Sequence, residues 1–428
     1  MRSPNCVLKN DCFRFAVSRD VSSCTAKVLH GSSSYLLNAR PAHNVEETAF
    51  VAEYRIPSSP SKQAILIANE EFMQAVEPDW SVPDGVSQMW HFHPKYGWMN
   101  DPNGLFFLDG KWHVFYQYNP LGVTWGNMHW GHAVSSDLRH WSHLPIALYP
   151  DEWGTMYSGS AVIDTDNTAG FGKNAILLYY TNASYDSLQG MQCLAISTDN
   201  GITFNKFNDG QPVIGNITRD RDRDPNIAWD ADANVWRLAL YFGTSASKNR
   251  FGLFESKNLL DWTPSDVYEI PYGAECPGIR PMQDEATGQT RWLFFDASCR
   301  YLVGDISRDG RIHFENQEPR CFFYGAAYAG QCFFGAPDNK NIYLAWLRMK
   351  PAQERQWTGC LSCPIELRLN NGELLVRPYH GFDDGDKALL KDFLVESPIG
   401  AAGHGMVLRD TFTAEYFDAS ERFAVGCV

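Results

Sequence analysis

The sequence predicts an all-β protein whose main part is a β-propeller, and two observations support this fold class. The first is a series of short apolar-alternating segments, each bounded by Gly, Asn, Asp or Pro, which is the pattern of strands and turns. Long helical patterns are hard to find. The clearest segments are residues 105–118, 175–183, 236–242, 291–298 and 342–349.

The second observation is a weak internal repeat in which Ser precedes a polar turn centre and Trp or Phe closes the unit. Its copies are SSDLRHW (135–141), STDNGITF (197–204), SKNLLDW (256–262) and SRDGRIHF (307–314). A repeat of roughly 40–60 residues made of strands and turns is typical of a propeller, with each turn joining the outer strands of one blade. Four turns and one blade without a clear copy predict about five blades between residues 90 and 380. A β-sandwich with coincidental turns is the alternative at this point.

The composition excludes several classes of partner. The chain has 428 residues, a formal net charge of −14, and 14 Trp, 19 Tyr and 26 Phe. An acidic chain repels phosphate backbones, so we expect no nucleic-acid partner. No stretch approaches 18 apolar residues, so we expect no transmembrane helix and no membrane partner. The many aromatic rings suit packing between strands and would also suit a sugar-binding pocket.

The N-terminus and the cysteines indicate the compartment and the metal content. The first residues, MRSPNCVLKNDCFRF, lack the apolar region of a signal peptide, so a cytoplasmic location is expected, or secretion if the signal is missing from this sequence. Eleven scattered cysteines do not form a disulfide scaffold, and the CxxC of Cys360 and Cys363 has no second pair. His129 and His132 lie three apart on a predicted strand and face opposite sides. We therefore expect no metal and no cofactor.

Three acidic residues stand at or near the start of predicted inner strands, which converge on the channel of a propeller. Asp101 lies in WMNDPNG, a segment with turn chemistry; Asp224 lies in RDRDRDPNIAWD and Glu275 in GAECPGIRPM. Strand alternation places Asp224 on the opposite side of its strand from Arg223. Because the three acids belong to different blades, we expect them to meet in one pocket.

Carboxyl groups that share a pocket suit glycoside hydrolysis. One carboxylate must be ionised to attack or stabilise the anomeric carbon, and another must be protonated to give its proton to the leaving oxygen. Crowding raises the pKa of at least one of them and so helps to create the acid.

WMNDPNG, RDP (223–225) and EC (275–276), in this order, resemble the three signature segments of glycoside hydrolase family 32, which includes invertases, inulinases, levanases and fructosyltransferases. The resemblance runs from about His91 to about Pro378. It also covers YQYNP (116–120), WGNMHWGHA (125–133), YSGS (157–160) and IELRLNNGELLVRP (365–378).

The resemblance implies a five-bladed propeller with a β-sandwich that acts on β-fructofuranosides with retention, through a covalent fructosyl-enzyme intermediate. It assigns Asp101 as nucleophile, Glu275 as general acid/base, and Asp224 as the group that stabilises the transition state, with Arg223 beside it. Retention requires the carboxyls of Asp101 and Glu275 to lie about 5–5.5 Å apart. The other residues expected to line the fructose pocket are Trp98, Asn100, Gln117, Trp125, Tyr157, Ser158 and Trp346.

The two ends of the chain depart from the family pattern. We expect an N-terminal extension with some strands at 1–85, the propeller at 86–380, and a short C-terminal segment at 381–428. Only about 50 residues follow the last propeller motif, too few for a full sandwich domain. Either the terminal strands together make a partial or reduced β-sandwich, or the chain is a truncated form.

The favoured function is hydrolysis of sucrose or of a fructo-oligosaccharide or fructan. A fructosyltransferase would use the same catalytic residues, and a non-catalytic fructan-binding propeller is the alternative from another class. The sequence does not separate sucrose, phosphorylated sucrose, inulin and levan, nor exo from endo attack.

Overall fold

The computed structural model describes residues 91–379, except 186, 244–248 and 350–355, together with three N-terminal strands. These strands are β1 (Cys24–His30), β2 (Ser33–Pro41) and β3 (Phe50–Glu53), and they form an antiparallel sheet in that order. The strands expected near the N-terminus are therefore present. The C-terminal segment 381–428 lies outside the described residues, and the domain boundaries at 85 and 380 stay predictions.

The remaining strands form five sheets, which confirms the all-β class and the five-bladed propeller. Blade one contains β4 (Gly97–Leu108), β5 (Lys111–Asn119), β6 (His129–Ser135) and β7 (Trp141–Leu148). Blade two contains β8 (Thr155–Asp164), β9 (Ala175–Ala183), β10 (Gly190–Ser197) and β11 (Asn205–Lys206). Blade three contains β12 (Arg221–Asp230), β13 (Val235–Gly243), β14 (Arg250–Ser256) and β15 (Thr263–Glu269).

Blades four and five carry additional short strands. Blade four contains β16 (Gly278–Gln283), β17 (Thr290–Phe295), β18 (Arg300–Ile306) and β19 (Ile312–Phe314), with β20 (Arg320–Cys321) beside β18. Blade five contains β21 (Ala327–Cys332), β22 (Asn341–Leu347), β25 (Ile365–Asn370) and β26 (Glu373–Pro378), with β24 (Cys360–Leu361) beside β22. β23 (Trp357–Thr358) joins blade one. Two 3-10 helices, Phe207–Gly210 and Pro337–Asn339, complete the described elements.

The ring closes between the last blade and the first. The inner strands β4, β8 and β12 contact one another in order, β12 contacts β16, and β21 contacts β4. The backbone N–H of Phe334 donates to the Leu105 carbonyl at 2.8 Å, and the Phe107 N–H donates to the Phe334 carbonyl at 2.9 Å. β23 then pairs in parallel with the start of β4. Both ends of the propeller are therefore tied to the strand that carries Asp101.

Apolar side chains fill the space between each blade and the next. One cluster joins blades one and two and includes Trp130 and Tyr180, whose rings meet edge to face with centroids 6.4 Å apart. Another joins blades four and five and includes Phe295 and Tyr343, with centroids 5.8 Å apart. Because each sheet is covered on both faces, a middle strand such as β9 is buried along its whole length. This explains the nearly continuous apolar segments in the sequence.

The four Ser-containing repeats are the turns between the third and fourth strands of blades one to four, as predicted. In each turn the Ser hydroxyl hydrogen-bonds the Asp or Asn side chain two residues later, which fixes the turn. The pairs are Ser135–Asp137, Ser197–Asp199, Ser256–Asn258 and Ser307–Asp309. Blade five lacks the repeat because Asn371 and Gly372, with φ of 51° and 72°, join β25 to β26 directly.

Within the described ranges, no helix combines the length and apolar character needed to span a membrane. The same residues contain no group of three His, Cys, Asp or Glu side chains that could hold a metal ion. His129 Nδ1 contacts the Asn127 carbonyl at 2.7 Å, whereas the His132 ring stacks on Phe115. The cellular location stays a prediction.

Blade one contains a buried pair of histidines. Nδ1 of His113 lies 3.1 Å from Nε2 of His132, and Phe106 and Phe115 stack on the two rings. Burial, with a smaller contribution from Lys111, lowers the pKa of His113 to about 4. Burial and the neighbouring His113 hold the pKa of His132 well below its ordinary value. Both rings are therefore neutral in the folded protein at neutral pH.

This pair predicts that acid weakens the fold. An unfolded histidine has a pKa of about 6.5 and gains a proton below that pH, whereas the folded ring does not, so each ring lowers the free energy of unfolding by about 1.4 kcal/mol per pH unit below that point. Urea unfolding at pH 7 and pH 5 measures this slope. We expect His132→Gln to reduce the slope, while His313→Gln, at an exposed position, leaves it unchanged. Equal slopes in both variants would contradict the prediction.

Candidate active site

β-bulges interrupt four of the five inner strands where they approach one another. A bulge bends its strand and turns a side chain away from regular alternation. The bulges lie between Met99 and Pro102, Tyr157 and Gly159, Arg223 and Asn226, and Tyr328 and Gln331. On β16 the comparable position is just before the strand, where Cys276 has a φ of 51°. The side chains at these positions meet in one pocket.

Asp101 lies in the bulge of β4. The Ser158 hydroxyl donates to its Oδ2 at 2.6 Å, and the Asn100 amide donates to its Oδ1 at 3.1 Å. The Cys276 thiol lies 3.6 Å from the same Oδ2. These donors fix the orientation of the carboxylate.

The NDPNG segment is part of a strand and not the turn that its composition suggests. Its Asn and Gly accommodate the bulge, and Gly104 has a φ of 54°. A Cβ at Gly104 would stand 3.0 Å from the rings of Phe115 and Trp130. Only glycine fits here, because the bulged strand packs directly on the interface between blades one and two.

Asp224 is buried in the bulge of β12 and has a left-handed φ of 64°. The backbone N–H of Cys276 donates to its Oδ2 at 3.1 Å, and its own N–H donates to the Thr181 hydroxyl at 2.9 Å. The expectation that alternation separates Asp224 from Arg223 is wrong, because the bulge brings both side chains into the same pocket. A strained backbone at a residue with this role is typical of a functional site.

Glu275 is held by two different blades. Arg223 donates to its Oε2 from Nε at 3.1 Å and from Nη2 at 2.7 Å, and the Tyr328 hydroxyl donates to its Oε1 at 3.1 Å. Arg223 also lies over the ring of Tyr241, 4.6 Å from its centroid, and its Nε is 3.6 Å from Oδ2 of Asp224. One guanidinium therefore serves two of the three carboxyls.

Crowding and burial change the acidity of the buried carboxyls. Burial and the charge of Glu275 raise the pKa of Asp101 to about 6, although hydrogen bonds from Ser158, Asn100 and Cys276 oppose the rise. Burial raises the pKa of Asp224 to about 7, against the favourable charge of Arg223 and together with the charges of Glu275 and Asp101. These carboxyls are thus poised to change protonation state near neutral pH.

Two of the expected pocket residues form an aromatic wall beside Asp101. The Trp98 indole N–H donates to Oδ1 of Asn100 at 2.8 Å, which orients the amide toward Asp101. The Trp98 ring meets the Trp346 ring edge to face, with centroids 5.8 Å apart, and Trp346 in turn contacts Tyr328. The wall therefore extends from Trp98, which orients the neighbour of Asp101, to Tyr328, the partner of Glu275.

Two further aromatic residues lie on the side of blades one and two. Trp125 is 55% exposed and meets Tyr157 edge to face at 6.1 Å. Burial raises the pKa of Tyr157, while the charge of Arg223 lowers it and the charge of Asp224 raises it, so the Tyr157 hydroxyl lies in the field of the carboxyl pocket. Gln117 is buried, and its amide donates to the Met156 carbonyl at 2.8 Å, so it braces β8 beside Ser158.

Sequence reasoning missed Cys276 and Tyr328. Cys276 follows Glu275 directly in the EC segment and lies between Asp101 and Asp224, with its thiol 3.5 Å from the latter. Because Cys276 belongs to the EC segment, it could have been predicted as a site residue from the sequence. Tyr328 contacts Glu275 across 53 positions of sequence, and no local pattern marks it.

Comparison with known proteins gives a consistent result. The family model for the glycosyl hydrolases family 32 N-terminal domain matches residues 91–378. A levanase of Bacillus subtilis is 36% identical over 310 residues, covering 65% of this chain and 44% of the levanase. An invertase of Schizosaccharomyces pombe is 36% identical over 257 residues, covering 52% of this chain and 43% of the invertase. The chain thus spans less than half the length of these two relatives.

Solved structures show the same architecture. The exo-inulinase of Aspergillus awamori superimposes with a TM-score of 0.61 at 26% identity, covering 70% of this chain and 68% of the other. The fructofuranosidase of Schwanniomyces occidentalis, solved in complex with fructose, gives a TM-score of 0.61 at 29% identity, covering 69% of this chain and 64% of the other.

Proposed function

The chain belongs to glycoside hydrolase family 32, and we propose that it is a retaining β-fructofuranosidase that hydrolyses the β-fructosyl linkages of sucrose or fructans. The observation that carries the proposal is the meeting of Asp101, Asp224 and Glu275, from three blades, around Cys276 and Arg223. The names of the relatives, levanase and invertase, support a fructosyl substrate.

In the first step, Asp101 attacks the anomeric carbon of the fructosyl unit while Glu275 gives its proton to the leaving oxygen. The glycosidic bond breaks, and an ester forms between the Asp101 carboxyl and the anomeric carbon. The charge of Glu275, after burial, raises the pKa of Asp101, so the two carboxyls interact within one pocket. This interaction supports a double displacement that uses both groups.

In the second step, Glu275 takes a proton from water, and the resulting hydroxide displaces Asp101 to release fructose. Asp224 stabilises the positive charge that develops at the anomeric carbon in both steps. Its Oδ2 is held by the Cys276 N–H, which leaves Oδ1 to accept hydrogen bonds from fructose hydroxyls.

Arg223 links the protonation of Glu275 to the charge of Asp224. While Glu275 is ionised, the guanidinium binds it closely and lies slightly farther from Asp224. A proton on Glu275 weakens that ion pair and leaves the guanidinium to neutralise Asp224. The acid form needed for the first step is thereby compatible with an ionised Asp224.

Product analysis tests the proposed function. The purified protein is incubated with sucrose, a short inulin-type oligomer and levan, and we expect free fructose as the main early product. Asp101→Ala should lower turnover by about 10⁴-fold or more, because the nucleophile is removed, while thermal unfolding stays unchanged. Asp232→Ala, at an exposed turn, is the matched control and should keep full activity.

Other products would change the activity assigned to the protein. Longer oligosaccharides as main products would make the protein a fructosyltransferase with the same catalytic residues. No product from any of the three sugars would overturn the proposed activity, and full activity in Asp101→Ala would remove Asp101 from the nucleophile role.

The pH dependence should follow the two buried aspartates. Asp101 and Asp224 must both be ionised in the first step, so kcat/KM should fall as the pH drops through the range from about 7 to about 6. Ser158→Ala removes a hydrogen bond that favours the ionised form of Asp101, so the acid limb of the pH profile should move to higher pH by up to about one pH unit. Ser160→Ala is the control, since this buried hydroxyl on the same strand has no hydrogen-bond partner among the described residues. Equal profiles for the two variants would contradict the assignment.

A further inference from the structure

A four-residue turn in blade four forms hydrogen bonds with the segment that carries Glu275. The turn, residues 296–299, joins β17 to β18. The backbone N–H of Ala274 donates to Oδ2 of Asp296 at 2.7 Å, and the N–H of Ala297 donates to the Glu275 carbonyl at 2.8 Å. Two consecutive residues of the Glu275 segment are therefore fixed by this one turn.

Asp296 is fully buried, and both of its oxygens are used. Oδ1 accepts the Arg300 N–H at 2.9 Å, while Oδ2 accepts the Ala274 N–H. Burial raises the pKa of this carboxyl to about 6, partly offset by these N–H donors, so it is mostly ionised at neutral pH. A Cβ at Gly273 would lie 3.1 Å from Oδ2, so the segment passes close over the carboxylate.

The same turn also contacts β21, the strand whose Tyr328 hydroxyl binds the Glu275 carboxyl. The Ala329 N–H donates to the Ala297 carbonyl at 2.8 Å, and Ala297 packs in one buried cluster with Cys276 and Ala329. Tyr328, the residue before Ala329, donates its hydroxyl to Glu275. The turn therefore connects the backbone of Glu275 to the strand that orients its carboxyl.

We propose that Asp296 is a positioning residue for Glu275, because its carboxylate anchors the backbone at Ala274 and so sets where the Glu275 carboxyl stands relative to Asp101. The inference rests on the proposed function, since it concerns the proton that Glu275 supplies. Asp296 acts through the backbone and does not touch the substrate.

A second buried aspartate in the same blade provides the matched control. Asp284 precedes β17, whereas Asp296 follows it, so the two lie about 20 Å apart along the strand. Asp284 also binds backbone N–H groups, including those of Ala286 at 3.0 Å and Gly372 at 2.7 Å. None of its contacts involves the Glu275 segment, so its loss should affect stability alone.

Asp→Asn is the informative change at both positions. An amide presents one acceptor and one donor group, so at 296 it can accept only one of the two N–H groups that the carboxylate accepts. The variant keeps the size of the side chain and weakens the anchor. Glu275 should then be displaced slightly from the leaving oxygen, and such small displacements reduce proton transfer strongly.

The experiment compares kcat/KM for sucrose with kcat/KM for an aryl β-fructofuranoside whose leaving group needs no protonation. We expect Asp296→Asn to lower the value for sucrose by about 10- to 100-fold and the value for the aryl fructoside by about 2-fold or less. Asp284→Asn should lower the urea midpoint and change both values by about 2-fold or less. If Asp296→Asn does not fold, Asp296→Ser is assayed with the same two substrates.

Each outcome decides one claim. An equal loss on both substrates, or no loss on either, would overturn the positioning role of Asp296. A wild-type protein that releases no fructose from either substrate would overturn the proposed function instead, so the two failures are distinguishable.

Discussion

The ion contacts of Arg223 are what allow three carboxyl groups to occupy one buried pocket. Carboxylates this close repel one another, and burial alone already raises the pKa of Asp101 and Asp224. The guanidinium binds Glu275, approaches Asp224 and stacks on Tyr241, so it offsets part of that repulsion from a fixed position. Without a cation there, the pocket would take up protons, and the division into a nucleophile, a stabilising carboxylate and a proton donor would be lost.

The propeller brings the three carboxyl groups together from different blades, and β-bulges orient their side chains into the pocket. A regular inner strand would point alternate side chains into the flanking blades, as the buried clusters between blades require. The bulges at Asp101, Ser158 and Asp224 interrupt this alternation where the strands approach the pocket. The strain in the φ values of Asp224 and Cys276 is tolerated because each residue donates its backbone N–H to a side chain of a neighbouring strand.

The architecture was predictable because its signals are local and repeated. Each Ser–Asx turn is a short self-contained unit, so four copies revealed four blades. A fifth blade without a clear copy was also predicted, and there a two-residue turn replaces the repeat. The three acids were found from their places beside inner strands. The bulge at Asp224 was not predicted, because a one-residue register shift leaves no periodic pattern in the sequence. Tyr328 and Asp296 were missed for a different reason: their contacts with the Glu275 segment join distant parts of the chain.

The central claim is that Asp101 and Glu275 divide the chemistry between them, and covalent trapping tests it most directly. In Glu275→Gln, an aryl β-fructofuranoside can still react with Asp101, but no general base assists water in releasing the fructosyl group. Mass spectrometry of the acid-quenched, digested variant should therefore find one fructosyl unit on the peptide that contains Asp101. A fructosyl unit on a different peptide, or release of the aryl group at the wild-type rate with no trapped species, would contradict this account.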